Sequence, residues 1–337
     1  MKKHPILFLL IILQFSFIRS QNIDLPISAR VDTTEVSNFS KIELLTKNDT
    51  ITFLITKNEY KKPKPVIVFL QGSLPIPIIQ SHQKTIFPFE IKPYLDLYHF
   101  VIIARKGVPI QGDYNENDKI LDEYHQNNNL YYRVNQANEV VNYLRKQTFI
   151  DKNKIYVIGH SEGYRVASKL AEKNKKISKL VCMSANPFNR NTEAILKNQI
   201  AQFTSDNDSI SQKNIASLIK DFQSIGNDIS VYKNKIEIYN WASYEVELPL
   251  NSFKKINKPL LVVYGTNDIG ASQNYLLPFL LTNKNITLKA YPNYGHNFEQ
   301  IIYDSHKKPI ETTYHWDAVF KDVSDWLLLS KAFSNKK

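Results

Sequence analysis

The hydrophobic pattern of the chain alternates between short, continuously apolar runs and longer stretches with helical spacing. Five apolar runs stand out: VIVFL from Val66, FVIIA from Phe100, KIYVIG from Lys154, KLVCMSA from Lys179 and LLVVYG from Leu260. Runs that are rich in Val, Ile and Leu and lack polar alternation are typical of strands that are buried on both faces of a sheet. We therefore expect these five segments to be central strands.

Segments with helical spacing lie between these runs. One runs from Leu130 to Phe149 and places five apolar residues on one face: Val134, Ala137, Val140, Val141 and Leu144. A second runs from Tyr164 to Lys175. The alternation predicts an α/β fold, with a mostly parallel sheet flanked by helices and a ligand site at the carboxyl ends of the strands.

Two further segments depart from this alternation. Upstream, two β-rich runs between Lys41 and Thr56 flank a polar turn, which predicts an antiparallel hairpin. Downstream, a polar insertion at about 185–258 carries helical stretches at Asn191–Phe203 and Lys213–Ile225. An insertion of this size predicts a helical lid, and the alternative is an elaborated connection between strands.

The first twenty residues have the pattern of an export signal. Lys2 and Lys3 precede an apolar run from Ile6 to Ile18, and Ser20 offers a small residue for cleavage. The run is shorter than the roughly 20 residues that a spanning helix needs, although a retained anchor is the alternative reading. We expect a signal peptide at 1–20, one domain at 21–337, and an exported protein without a stable membrane anchor.

Composition narrows the classes of protein further. The chain has 337 residues, 43% of them hydrophobic and 22% charged, which is typical of a globular protein. A single cysteine, Cys182, excludes an internal disulfide and any metal site built from several cysteines. The formal net charge is +11, and three of the basic residues lie in the leader. The lysines are scattered along the chain, so no nucleic-acid partner is indicated.

The pentapeptide Gly159–Gly163 spells G-x-S-x-G directly after a predicted strand and directly before a predicted helix. A serine on such a sharp turn is held in a strained backbone conformation, and glycine neighbours let the strand and the helix approach closely. The pattern predicts that the side chain of Ser161 is presented as a nucleophile.

A serine hydroxyl needs a base within hydrogen-bond reach and an acid that orients the base. Asp268 follows LLVVYG, at the end of a predicted strand, and His296 lies in a loop after the short predicted strand Thr287–Tyr291. We interpret Ser161, Asp268 and His296 as a catalytic triad. The weaker alternatives are His315 as the base and Asp304 or Asp228 as the acid.

Acyl transfer also needs donors for the oxyanion of the tetrahedral intermediate. The amide of Glu162, which follows the serine, is the first candidate. The second is the amide of Ser73 in the turn that ends VIVFL, with Leu74 as the alternative.

In the order and spacing of these features the chain resembles the α/β-hydrolase superfamily, from about Val66 to Leu329. The resemblance implies an eight-stranded, mostly parallel sheet, a serine nucleophile, an acyl-enzyme intermediate and no cofactor. It is similar to exported bacterial hydrolases among which esterase, dienelactone-hydrolase and prolyl-oligopeptidase sequences intergrade. The loop at 71–73 reads QGS where many members have His-Gly, a departure that bears on the second oxyanion donor. The insertion has no counterpart in the resemblance, which leaves the substrate open.

These features favour a serine hydrolase that cleaves a carboxylic ester or a related small acyl compound and uses neither a metal nor a cofactor. One alternative is a serine peptidase, either prolyl-oligopeptidase-like or an aminopeptidase. The other is a non-catalytic ligand-binding protein on the same fold. The sequence leaves the oligomeric state open.

Overall fold

The computed structural model describes residues 36–329 except 48, 58–61, 82–83, 115–121, 205–207, 226–228, 282–284 and 307. The leader predicted at 1–20 lies outside the described residues. Within the described ranges, no helix combines the length and the apolarity needed to cross a membrane.

The described residues form a central sheet and two small antiparallel ribbons. The strands are β1 (Phe39–Leu45), β2 (Thr50–Thr56), β3 (Lys64–Leu70), β4 (Ile79–Gln80), β5 (Lys84–Thr85), β6 (His99–Ile103), β7 (Ile150–His160), β8 (Lys179–Met183), β9 (Leu260–Gly265), β10 (Ile286–Tyr291), β11 (Glu299–Tyr303) and β12 (Pro309–Tyr314).

Eight strands form the central sheet in the order β1-β2-β6-β3-β7-β8-β9-β10. The first two neighbour pairs are antiparallel and the other five are parallel. The predicted eight-stranded, mostly parallel sheet is therefore confirmed, as is the hairpin, in which Phe39 pairs with Thr56. The central strands β6 and β9 are buried along their whole length, in agreement with their unbroken apolar runs.

Helices cover both faces of this sheet. They are α1 (Asp122–Asn127), α2 (Leu130–Leu144), α3 (Glu162–Lys173), α4 (Arg190–Thr204), α5 (Asp208–Ile225), α6 (Ile236–Glu245), α7 (Pro249–Lys255), α8 (Leu277–Leu280) and α9 (Trp316–Leu328).

Helix α2 buries the predicted apolar face but ends at Leu144 instead of Phe149. The amides of Lys146 and Gln147 donate to the carbonyls of Tyr143 and Leu144, which closes a turn, and the chain then enters β7 at Ile150. The apolar residues beyond Leu144 therefore belong to the following strand and its approach.

The sheet has an apolar core on each face. On one face its side chains pack against α2, α3 and α7. On the other they pack against α9, where the rings of Phe89 and Phe320 stack with centroids 3.7 Å apart. Two buried faces explain why the central strands carry no polar alternation.

The segment between β8 and β9 contains α4 to α7. Its second half belongs to the main core, since Tyr244, Leu250 and Phe253 are buried there. Its first half, α4 and α5, forms a helix pair that packs together at the carboxyl end of the sheet. That this helix pair moves as a lid remains a prediction.

Candidate active site

Ser161 lies at the turn between β7 and α3, with φ 52° and ψ −131°. Positive φ is uncommon for a residue with a Cβ atom, and such strained positions occur mainly at functional sites. The turn also requires glycine on both sides. A Cβ on Gly163 would lie 2.0 Å from a carbonyl oxygen of β3, and one on Gly159 would lie 2.3 Å from the oxygen of Gly163. The turn therefore presents the serine hydroxyl above the carboxyl end of the sheet.

The structure brings Ser161 together with the two other predicted side chains. His296 Nε2 lies 2.9 Å from Ser161 Oγ, and His296 Nδ1 lies 2.7 Å from Asp268 Oδ2. Asp268 is buried in the turn after β9, and His296 follows β10, the neighbouring strand. A Cβ on Gly265 would lie 2.0 Å from the carbonyl oxygen of Tyr294, so this glycine lets the acid-bearing and base-bearing loops pack against each other.

The environment of His296 raises the pKa of its imidazole. Burial lowers the pKa of His296, but the hydrogen bond and the charge of Asp268 outweigh it, and the pKa lies above its ordinary value. The side chain is nevertheless 43% exposed, and His296 lines a pocket together with Ser161. A base with this arrangement can accept a proton from Ser161 and hold it beside the carboxylate.

The backbone of His296 is fixed by two neighbouring side chains. Ser184 Oγ donates to the carbonyl oxygen of His296 at 2.6 Å, and His160 Nε2 lies 3.2 Å from the same oxygen. Burial, together with the charge of His296, lowers the pKa of His160 to about 3. His160 is therefore neutral at pH 7, and Nε2 must carry its proton because a carbonyl oxygen only accepts.

Buried side chains also fix the loop at 71–73. Its three carbonyl oxygens accept hydrogen bonds from Arg133 Nη2 at 2.7 Å, from Arg105 Nη1 at 2.7 Å and from the Tyr124 hydroxyl at 3.0 Å, respectively. The second of these carbonyls shares a planar trans peptide unit with the amide of Ser73, so holding the oxygen also fixes the direction of that N–H. Sequence reasoning did not identify these three supporting residues.

The carboxylate of Glu162 joins this loop to the rest of the site. Its Oε1 accepts a hydrogen bond from Arg133 Nη1 at 2.8 Å and lies 3.9 Å from Arg105 Nη2. Its Oε2 accepts a hydrogen bond from Arg190 Nη2. Burial would raise the pKa of Glu162, but Arg190, Arg133 and Arg105 lower it to about 2. Because Arg190 begins α4, one buried carboxylate connects the turn of Ser161, the loop at 71–73 and the helical insertion.

A pocket of about 470 Å³ opens above Ser161. The core contributes Ser73, Ser161, Glu162, Tyr164, Arg165, Ser184, Asn186, Asp268, Gly270 and His296 to its lining. Helix α4 contributes Arg190, Glu193, Ala194, Lys197, Asn198 and Ala201. The predicted lid segment therefore forms one wall of the pocket.

The structure places the alternative site residues elsewhere. The ring of His315 stacks on Tyr294 with centroids 4.4 Å apart, at the start of α9. The carboxylate of Asp304 accepts hydrogen bonds from the backbone amides of His306 and Lys308 in the turn between β11 and β12. Asp228 lies outside the described residues. Ser73 and Glu162, whose amides are the predicted oxyanion donors, both line the pocket with Ser161.

Comparisons with known proteins support the same fold. A family model described as BAAT / Acyl-CoA thioester hydrolase C terminal matches residues 134–300, a range that contains Ser161, Asp268 and His296. A search of curated protein sequences finds no significant match.

Solved structures resemble the chain at low sequence identity. Dipeptidyl peptidase 4 of Porphyromonas gingivalis aligns with a TM-score of 0.52, 13% identity and 86% of this chain covered. A Bacteroides ovatus protein assigned as a dipeptidyl aminopeptidase IV gives 0.56, 12% and 86%. Acetyl xylan esterase 1 of Thermoanaerobacterium gives 0.50, 14% and 87%. The chain spans 35% of the length of each of the two peptidases and 84% of the esterase.

The sheet order, the helices on both faces and these likenesses define the class of protein. The chain has the α/β-hydrolase fold.

Proposed function

We propose that the chain is a serine hydrolase that cleaves a carboxylic ester or a related acyl compound through an acyl-enzyme intermediate. The observation that carries this proposal is the continuous hydrogen-bonded series from Ser161 Oγ through His296 to Asp268, at 2.9 Å and 2.7 Å. These distances lie within the reach that proton transfer from a nucleophile to its base requires.

The series gives each side chain a role in the proposed reaction. His296 Nε2 accepts the hydroxyl proton of Ser161 as Oγ attacks the carbonyl carbon of the substrate, and the imidazolium that forms is stabilised by Asp268. His296 then gives this proton to the leaving oxygen as the tetrahedral intermediate collapses to the acyl-enzyme. Water, deprotonated by His296, attacks the acyl-enzyme and releases the acid and the free serine.

The negative oxygen of the tetrahedral intermediate needs donors that are already in place. We assign this role to the backbone amides of Glu162 and Ser73. The first belongs to the first turn of α3, and the second belongs to the peptide unit whose carbonyl oxygen Arg105 holds at 2.7 Å. A donor fixed in this way stabilises the transition state without the cost of reorganisation, and each such donor is worth about 2.7 to 4 kcal/mol.

The family likeness supports an acyl substrate, since the matching model is named for acyl-CoA thioester hydrolases and one similar structure is an acetyl xylan esterase. The pocket supports a small one, because a volume of about 470 Å³ lies within the range of small-molecule sites.

A fluorophosphonate probe tests the proposal directly. The purified protein should be labelled at Ser161, and both Ser161→Ala and His296→Gln should abolish labelling. Two matched controls should keep it: Ser217→Ala, on the outer helix α5, and His315→Gln, which changes the alternative base. Labelling that persists in His296→Gln would contradict the assignment.

Substrate assays then separate the classes of hydrolase. We expect turnover of 4-nitrophenyl esters that disappears in Ser161→Ala. Preferential cleavage of aminoacyl anilides would instead support the peptidase alternative, and a folded protein that neither reacts with the probe nor turns over any ester would support a ligand-binding protein.

A further inference from the structure

Arg165 is a buried cation in the pocket without a carboxylate partner. It is 4% exposed, its Nη1 donates to the backbone oxygen of Tyr244 at 3.1 Å, and its guanidinium lies 5.4 Å from the ring centroid of Tyr164. Among the residues that the structure describes, no Asp or Glu oxygen lies within 4.0 Å of it. Burying a charge costs several kcal/mol unless a counter-charge compensates it, so an unpaired buried arginine in a pocket points to a ligand.

The position of Arg165 relates it directly to the nucleophile. It lies on α3 four residues after Ser161, which is the N-cap of this helix, and four helical residues rise about 6 Å along the axis. Both residues line the same pocket. A ligand group bound by Arg165 therefore lies near a carbonyl group held at Ser161.

A second polar side chain of the pocket has one donor group without a partner. Asn186 is 4% exposed and lines the pocket. Its Oδ1 accepts the amide of Phe188 at 2.8 Å, whereas its Nδ2 has no hydrogen-bond partner within the described ranges. A buried donor without an acceptor is unfavourable, and it favours a ligand that brings an acceptor oxygen into the pocket.

The remaining charges of the pocket are matched. Glu193 pairs with Lys197 at 2.5 Å, Asp268 bonds to His296, and Glu162 is shared among three arginines. A substrate that carries an ammonium group would find no unpaired carboxylate among the lining residues, whereas an anionic group would compensate Arg165.

We propose that the substrate carries a carboxylate in addition to the scissile acyl bond, and that Arg165 and Asn186 bind this carboxylate. This inference rests on the proposed function. Together, Arg165 and Asn186 form the carboxylate subsite, which selects esters of dicarboxylic acids or of carboxylated alcohols over neutral esters of the same size. Arginine is suited to this role because its planar donors match the two oxygens of a carboxylate.

Charged esters and their neutral counterparts test the carboxylate subsite. The first series compares 4-nitrophenyl monoesters of adipate and suberate with the same compounds whose free acid is methylated. The second compares acetate esters of hydroxybenzoates with their methyl esters. In at least one series the wild-type protein should hydrolyse the charged ester with a kcat/KM about 10- to 100-fold higher, as expected for a charged hydrogen bond.

The variant Arg165→Met removes the charge and keeps a side chain of similar length. We expect the ratio of kcat/KM for the charged ester to kcat/KM for the neutral ester to fall toward one, and Arg165→Lys should recover part of this preference. Lys197→Met, which removes another cation of the pocket, should retain the preference because Lys197 is already paired. A purely structural Arg165 would instead lower both activities equally.

The outcomes separate the two proposals. Equal turnover of charged and neutral esters in both series by the wild-type protein would overturn the carboxylate subsite while leaving the serine hydrolase intact. If Arg165→Met does not fold, this comparison on the wild-type protein still decides. An absence of all ester turnover and of fluorophosphonate labelling would overturn the proposed function itself.

Discussion

Replacement of Glu162 by Gln is the sharpest test of how the site is held together. The substitution keeps the size of the side chain and removes its charge from the midst of Arg133, Arg190 and Arg105. The pKa of Glu162 is lowered from 4.5 to about 2. Since each tenfold change in protonation corresponds to about 1.36 kcal/mol, the ionised carboxylate contributes about 3 kcal/mol to folding at pH 7. Removing one member of a buried ion pair costs a similar amount, about 3 to 5 kcal/mol.

The measurement is urea denaturation of the wild-type protein and Glu162→Gln. A carboxyl group with a depressed pKa in the folded state stabilises the fold above its unfolded pKa, and this contribution is lost as the pH falls through the folded value. The difference in unfolding free energy should therefore be about 3 kcal/mol at pH 7 and shrink to about 1 kcal/mol at pH 3.

Glu193→Gln is the matched control. Glu193 also lines the pocket, but its pair with Lys197 is partly exposed and joins residues four apart on α4, so the change should cost less than about 0.5 kcal/mol. Equal costs for the two variants at pH 7 would refute the conclusion that Glu162 is the central counter-charge of the site.

Further predictions concern the base, the turn and the leader. Asp268→Asn should lower kcat about 10³- to 10⁴-fold. It should also move the acid limb of the pH profile of kcat/KM to lower pH, because Asp268 raises the pKa of His296. An acid limb at the same pH in the variant would contradict this. Gly163→Ala should destabilise the protein by about 3 kcal/mol or more in thermal unfolding, since its Cβ would meet a backbone oxygen. Gly270→Ala, whose Cβ would meet only the end of a flexible side chain, should cost much less. We expect export, so N-terminal sequencing of the exported protein should begin at Gln21, and a chain that retains Met1 would refute cleavage.

The sequence allowed the sheet, the hairpin and the order of Ser161, Asp268 and His296 to be predicted because each depends on local patterns. Apolar runs mark buried strands, and glycines at Gly159 and Gly163 mark a turn without room for a Cβ. Helix ends were less predictable. The end of α2 is set by turn hydrogen bonds after Leu144, and the hydrophobic pattern does not encode them.

The buried charges were missed because an arginine in a sequence resembles any solvated residue. Arg105 and Arg133 act on carbonyl groups 33 and 62 residues earlier in the chain, and such pairings arise only from the tertiary fold. One signal was present. Arg133 lies next to Val134 within the apolar face of α2, and a charged residue in a stripe that faces the core indicates a buried partner.

The placement of α4 and α5 has a consequence for how such an enzyme diversifies. Strands β8 and β9 are hydrogen-bonded neighbours, so the chain leaves and re-enters the sheet at adjacent positions. The pair α4–α5 can therefore be exchanged for another helical segment without altering strand register, provided that a cation remains at position 190 to satisfy Glu162. Exchange of this helix pair can thus change the substrate range while Ser161, Asp268 and His296 keep their positions.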